Sequence, residues 1–121
     1  MGERIESFRQ LEIWKLGMKI SEKTYLLTSG LPREERYGLS SQMRRAAVSL
    51  PANIAEGFRR RHNREYRQFL YIALGSSGEL ETHLELTKKF YSLNGENVDE
   101  LLLLIDRFQR MTNTLIQKLK L

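Results

Sequence analysis

The sequence contains no cysteine, which excludes a disulfide framework, a thiolate nucleophile and a cysteine-ligated zinc. Long apolar runs are also missing. The longest, Leu101-Leu102-Leu103-Leu104-Ile105, is far too short to span a bilayer. Histidine is limited to His62 and His83, and neither follows a glutamate by three residues. A di-metal carboxylate site of the Glu-x-x-His type is therefore excluded, and no metal or other cofactor is expected. There is no glycine-rich phosphate loop, nucleophile elbow or zincin motif, so no catalytic residue is assigned. Met1 to Glu6 lacks the apolar stretch of a signal peptide, and a cytoplasmic protein with no membrane role is expected.

What is present fits one compact soluble domain over residues 1–121: 40% hydrophobic residues, 29% charged residues, eight glycines and two prolines. The net charge of +5 is unevenly placed. Residues 33–67 hold nine bases and four acids, and every one of those bases is arginine. The rest of the chain is close to neutral. Arginine presents a planar fork of donors matched to phosphate and carboxylate, so an arginine-only excess points to anion contact. The competing reading is a solvated helix end and connector, where cations also complement a helix C-terminus.

Three short breaks, Ser29-Gly30-Leu31-Pro32, Arg61-His62-Asn63 and Asn94-Gly95-Glu96-Asn97, divide the chain into four segments of helical periodicity. The first helix is expected at about 9–28. Its core face would carry Leu11, Trp14, Met18 and Tyr25, and Ile13, Ile20 and Leu27 would form a flanking stripe. Ser7 with Gln10 matches a capping box at its start. Pro32 to Tyr37 reads as a turn into a second helix over about 38–61, with Leu39, Met43, Ala46, Ala47, Leu50 and Ile54 on the core face. Pro51 lies inside that pattern and removes a backbone donor, which predicts a kink or local opening near Val48 to Leu50. The third helix, about 64–92, places Tyr66, Phe69, Leu70, Ala73, Ser77, Leu80, Leu84 and Tyr91 inward. Gly75-Ser76-Ser77-Gly78 weakens it, and close helix approach or a special backbone contact would compensate. The fourth, about 97–120, buries Leu101, Leu104, Ile105, Phe108, Thr112, Leu115 and Leu119. The expected fold is an all-α, up-down-up-down antiparallel four-helix bundle. Leu102, Leu103 and the first helix's flanking stripe are surplus apolar surface, a mark of self-association.

Gln42, Arg45, Ser49, Asn53 and Glu56 recur at helical steps on the second helix, within an arc of about 80° that lies roughly 110° from the apolar face. This stripe reads as a ligand site or as a structural network. In the network reading Arg45 and Glu56 pair with Glu79 or a neighbouring subunit, and the amides serve the backbone groups freed by Pro51. His83 lies one turn after Glu79, a spacing that suits a metal or an acid/base pair, and is read as a hydrogen-bonded structural histidine in preference to either. Arg59, Arg60, Arg61, Arg64 and Arg67, joined by Arg44, are the candidate nucleic-acid contacts. Phe58 and Tyr66 flank that run without alternating through it, which is weak support for base stacking.

The stretch Glu35-Arg36-Tyr37-Gly38-Leu39, the string Gln42-Met43-Arg44-Arg45-Ala46-Ala47-Val48-Ser49-Leu50-Pro51-Ala52-Asn53-Ile54-Ala55-Glu56-Gly57 and the stretch from Phe69 to Glu81 together resemble the four helix bundle protein family. These proteins are encoded in intervening sequences of bacterial 23S rRNA genes and are often labelled ribosomal. Phe8, Leu11 and Trp14 resemble the family's opening motif. A related group is the accessory protein of diversity-generating retroelements, a basic pentameric bundle that engages nucleic acid and a reverse transcriptase. The resemblance implies a four-helix bundle, a ring-shaped homopentamer and nucleic-acid binding. It supplies no established activity, and the ribosomal label reflects only where such genes were found. The leading expectation is a non-enzymatic oligomeric module that contacts RNA or DNA backbone through arginine. The alternative is a protein-protein interaction scaffold with an unknown partner and no nucleic-acid role.

Overall fold

The computed structural model describes residues 4–91 and 95–121, with the side chains of residues 95 and 96 left out. Met1 to Glu3 and Asn94, on which parts of the sequence reading fall, lie outside the described residues. Four helices form the fold: α1 (Glu12–Thr28), α2 (Leu39–Phe58), α3 (Asn63–Phe90) and α4 (Gly95–Lys118). Short 3-10 turns at Phe8–Gln10 and Arg33–Glu35 precede α1 and α2. No strand occurs among the described residues. Each helix packs on its sequence neighbour, and α1 closes the bundle against α4; the α1–α2 and α2–α3 seams are the most extensive. The chain is thus an all-α four-helix bundle.

The Ser7–Gln10 capping box forms as the sequence predicts, but it caps the first 3-10 turn. Leu11 is extended between that turn and α1. A second difference concerns which face of α1 is inside. Ile13, Leu16, Gly17, Ile20, Thr24 and Thr28 are buried, while Met18 and Tyr25, expected in the core, are 40% and 46% exposed. The two threonines explain the inversion. Thr24 Oγ1 donates to Ile20 O at 2.7 Å and Thr28 Oγ1 to Thr24 O at 2.8 Å, so each hydroxyl is satisfied on its own helix and its methyl can enter the core.

On α2 the expected face is correct, with Met43, Ala46, Ala47, Leu50 and Ile54 all buried. The helix runs through Pro51 without a break. Proline 51 has no N–H for the carbonyl four residues back, Ala47 O. Ser21 Oγ of α1 approaches that oxygen at 3.0 Å and Gly17 O at 2.9 Å, so its one proton serves either carbonyl. The donor is therefore a serine of α1, and neither amide of the α2 stripe takes that role. Gly17 permits the approach: a Cβ there would sit 3.1 Å from Pro51 N and 3.2 Å from Pro51 Cδ.

Gly57 makes the other close approach, where a Cβ would lie 2.9 Å from Phe69 Cβ, 2.9 Å from Tyr66 Cδ1 and 3.2 Å from Tyr66 O. Gly75 and Gly78 behave differently, because nothing lies within 4 Å of a Cβ built on either. The close approach expected there is absent among the described residues. On α3 and α4 the predicted inward residues are buried or half-buried, joined by Thr87, Val98 and Ile116. Tyr91 instead caps the end of α3. Leu102 packs partly against the core and only Leu103, 71% exposed, projects outward.

Candidate nucleic-acid interface

The antiparallel order brings four helix ends together: the start of α1, the end of α2, the start of α3 and the end of α4. Arg59, Arg60, Arg61 and Arg64 are exposed there, and Arg67 is half-buried one turn into α3. Asn63 Nδ2 donates to Lys120 O at 2.7 Å, which ties the end of α4 to the start of α3. A recess of about 570 Å³ opens between them, lined by Arg61, His62, Asn63, Arg64, Glu65, Lys120 and Leu121. His62, the N-cap of α3, makes no side-chain cap bond, so the first-turn N–H groups of that helix add positive potential at the same end.

The arginines of this end differ in how they are held. Arg60 Nη2 binds Glu56 Oε1 at 2.7 Å, and its guanidinium lies 4.8 Å from the Phe69 ring centroid. Arg59 lies 5.3 Å from the centroid of Phe8, and Arg9 lies 4.5 Å from the same ring. Arg61, Arg64 and Arg67 make no ion pair among the described residues. Phe58 and Tyr66 meet edge to face at 6.3 Å, and burial pushes the Tyr66 phenol up to about 12. Arg9 was missed by the sequence reading, which placed Phe8 only in the opening motif and not at this interface. Its signal was an arginine beside an aromatic in the capped 3-10 turn, outside the arginine-rich segment.

Arg44 does not join this group. It lies fifteen residues before Arg59 on one helix, about 22 Å along the axis, and is engaged by α1. Its Nε donates to Thr28 Oγ1 at 2.8 Å, its Nη2 reaches Tyr25 O at 3.5 Å, and the guanidinium sits 4.5 Å from the Tyr25 ring centroid.

The polar stripe of α2 is only partly a network. Asn53 Nδ2 donates to Ser49 O and Ser49 Oγ, both at 2.8 Å, and Ser49 Oγ meets Ser76 Oγ of α3 at 2.8 Å. The small residues of α3 thus let a hydroxyl pair bridge the two helices. Glu56 pairs with Arg60 one turn along its own helix rather than with Glu79, whose like charge would repel it. Glu79 faces His83 Nε2 at 3.6 Å, beyond hydrogen-bond distance, and His83 Nδ1 is buried with no partner among the described residues. Gln42 and Arg45 make no side-chain hydrogen bond among the described residues. Gln109 of α4, which the sequence reading did not single out, bridges Ser77 Oγ and Glu81 Oε1 at 3.0 Å each.

Among the described residues, no three of His, Asp and Glu gather as a metal-binding group, and no helix is long and apolar enough to cross a membrane. The fold and its cationic end define a basic four-helix bundle. The family model for the 23S rRNA-intervening sequence protein matches residues 9–114, and the chain belongs to that family. A crystal structure of a protein of unknown function from the S23 ribosomal protein family of Bacteroides thetaiotaomicron is similar in fold. It has a TM-score of 0.81 at 20% identity, over 88% of this chain and 99% of that one. No curated protein matches the chain.

Proposed function

We propose that the chain is a non-enzymatic, oligomeric cytoplasmic module that binds RNA or DNA through its backbone. The observation that carries this is the gathering of Arg59, Arg61, Arg64, Arg67, Lys118 and Lys120 at one end of the bundle, with no carboxylate paired to any of them among the described residues. Guanidinium and ammonium groups so placed neutralise phosphates without reading bases. Glu56 and Glu65 temper the charge but leave a cationic excess.

Self-association is supported by a broad apolar recess on the α1–α2 face. It has a volume of about 660 Å³ and is lined by Met18, Ser21, Glu22, Tyr25, Leu26, Ser29 and Val48. Leu26 is 75% exposed within it. The assembly implied by the family resemblance is a homopentamer. A ring repeats the basic end around its rim, and weak contacts then add through multivalency. The same recess supports the second reading, a scaffold for another protein.

Replacing Arg59, Arg60 and Arg61 by alanine should weaken binding to RNA, single-stranded DNA and duplex DNA alike. It should also flatten the salt dependence, which on duplex is about −0.9 in log affinity per phosphate neutralised. Light scattering should give a mass several times 14.3 kDa. If the parent protein binds no nucleic acid at low salt, the scaffold reading replaces this one. A monomer across a dilution series removes the oligomer.

A further inference from the structure

Every aromatic ring at the basic end is already occupied. Phe8 carries Arg9 at 4.5 Å and Arg59 at 5.3 Å, and packs on Trp14 at 5.4 Å between centroids. Phe69 carries Arg60, and Phe58 is engaged by Tyr66. A nucleobase would have to displace a guanidinium or break a half-buried aromatic pair to stack here. The rings therefore serve the arginines rather than a ligand's bases.

Phe8 is the most telling of them. Two guanidinium carbons within 4.5 and 5.3 Å of one centroid lie no more than about 10 Å apart, although they come from separate elements, the first 3-10 turn and the C-cap of α2. Neither arginine pairs with a carboxylate among the described residues. Arg9 has only a long contact from Nη1 to Ser7 Oγ, at 3.5 Å. Both side chains are exposed. Two like charges within about a Debye length of each other raise the local positive potential, and a bound anion lowers it. Contact with a ring orders each side chain while leaving N–H groups free to donate to an oxyanion.

We propose that Arg9 and Arg59, ordered on the Phe8 ring, form a clamp for backbone phosphate, and that the N-terminal turn thereby belongs to a binding surface that is blind to base identity. The inference rests on the nucleic-acid reading above and adds a residue, a positioning platform and a specificity class to it. Arg9 and Arg59 touch the phosphate. Phe8 acts through them as a positioning residue. The Ser7–Gln10 capping box, in which Ser7 N donates to Gln10 Oε1 at 3.0 Å, holds the turn that presents both Phe8 and Arg9.

The test is fluorescence anisotropy with labelled 20-nucleotide homopolymers of adenosine, cytidine and uridine at two salt concentrations. The full chain is compared with Arg9→Ala, Phe8→Leu, the Arg9→Ala/Phe8→Leu double variant and Arg61→Ala/Arg64→Ala. The parent should bind the three homopolymers with the same affinity. Arg9→Ala should weaken all three about fivefold, as expected for one exposed charge-assisted contact, and reduce the salt slope by about 0.7. Phe8→Leu keeps an apolar side chain against Trp14 and should weaken binding similarly, with the double variant little worse than either single one. Circular dichroism should show unchanged helix content in each. If Arg61→Ala/Arg64→Ala weakens binding while Arg9→Ala and Phe8→Leu do not, the clamp is wrong and the broader reading stands. If Phe8→Leu weakens binding to one homopolymer only, the ring stacks a base and the clamp is also wrong. If the parent binds none of the three at low salt, both readings fall together.

Discussion

Where α1 ends and α2 begins, charged side chains are tied to the fold. Arg44 is bonded to Thr28 and Tyr25, Lys88 to Asp99 at 3.0 Å, and Glu35 accepts from the Tyr91 hydroxyl and from Leu39 N. At the opposite end the arginines rest on aromatic rings or project without a carboxylate partner, Arg60 excepted. The two ends hold similar residue types. Arg33 and Arg36 also lack a carboxylate partner at the first end among the described residues, Arg36 resting on Tyr37 at 5.5 Å, but Glu34 and Glu35 sit between them, so the larger excess of unpaired charge lies at the basic end. A count of bases along the sequence measures supply, and the interactions made in the fold decide what remains for a ligand.

The largest expected effect that sharpens this contrast is at Gly57, which seats the end of α2 against Tyr66 and Phe69. Gly57→Ala should cost about 2 kcal/mol through overpacking, visible as a lower midpoint in urea, and should weaken nucleic-acid binding by shifting Arg59 and Arg60 from α3. Arg44→Ala comes next. It should cost about 1 kcal/mol, since Thr28 Oγ1 and the carbonyl at the end of α1 lose a cationic donor, while affinity for nucleic acid stays at the parent value. A loss of affinity matching that of the arginines at the basic end would break the contrast between the ends.

Between the ends, Gly75→Ala and Gly78→Ala should each stabilise an isolated chain by up to about 1 kcal/mol, because a Cβ meets nothing within 4 Å. If α3 packs against another copy there, the same substitutions should instead lower the assembled mass seen by light scattering. The smallest effect concerns Glu35. The Tyr91 hydroxyl and the Leu39 amide hold its carboxyl below the ordinary glutamate range. Its contribution is thus complete above the unfolded-state value and is lost as pH falls through the folded one. Tyr91→Phe should flatten the acid limb of a thermal-midpoint profile, and an unchanged limb would mean the bond contributes nothing.

The bundle was readable because its apolar positions recur at the period of a helix over four long segments, and α2 kept even its inward face. The face of α1 was not. Thr24 and Thr28 look polar as letters, but their hydroxyls bond one turn back, whereas Trp14 and Tyr25 look like core and sit half-buried or exposed. The arginine-rich end was legible as composition. Arg44 was misplaced with it because sequence proximity does not say which end of a 20-residue helix a residue marks. Arg9 lay too far along the chain to be counted, and Ser21, the donor to Ala47 O, carried no signal before α1 was known to lie beside Pro51.

The seating of Gly17 and Ser21 on Pro51 works as a key in a notch. Helices packed through apolar ridges can slip by a turn at modest cost, because one leucine replaces another. Here a slip of one turn, about 5.4 Å, would bring a side chain onto the proline ring and leave the Ala47 carbonyl with no donor. The proline thus fixes the axial offset of α1 on α2. That offset sets how far the Phe8 turn reaches past the end of α2, and so whether Arg9 and Arg59 can share one ring.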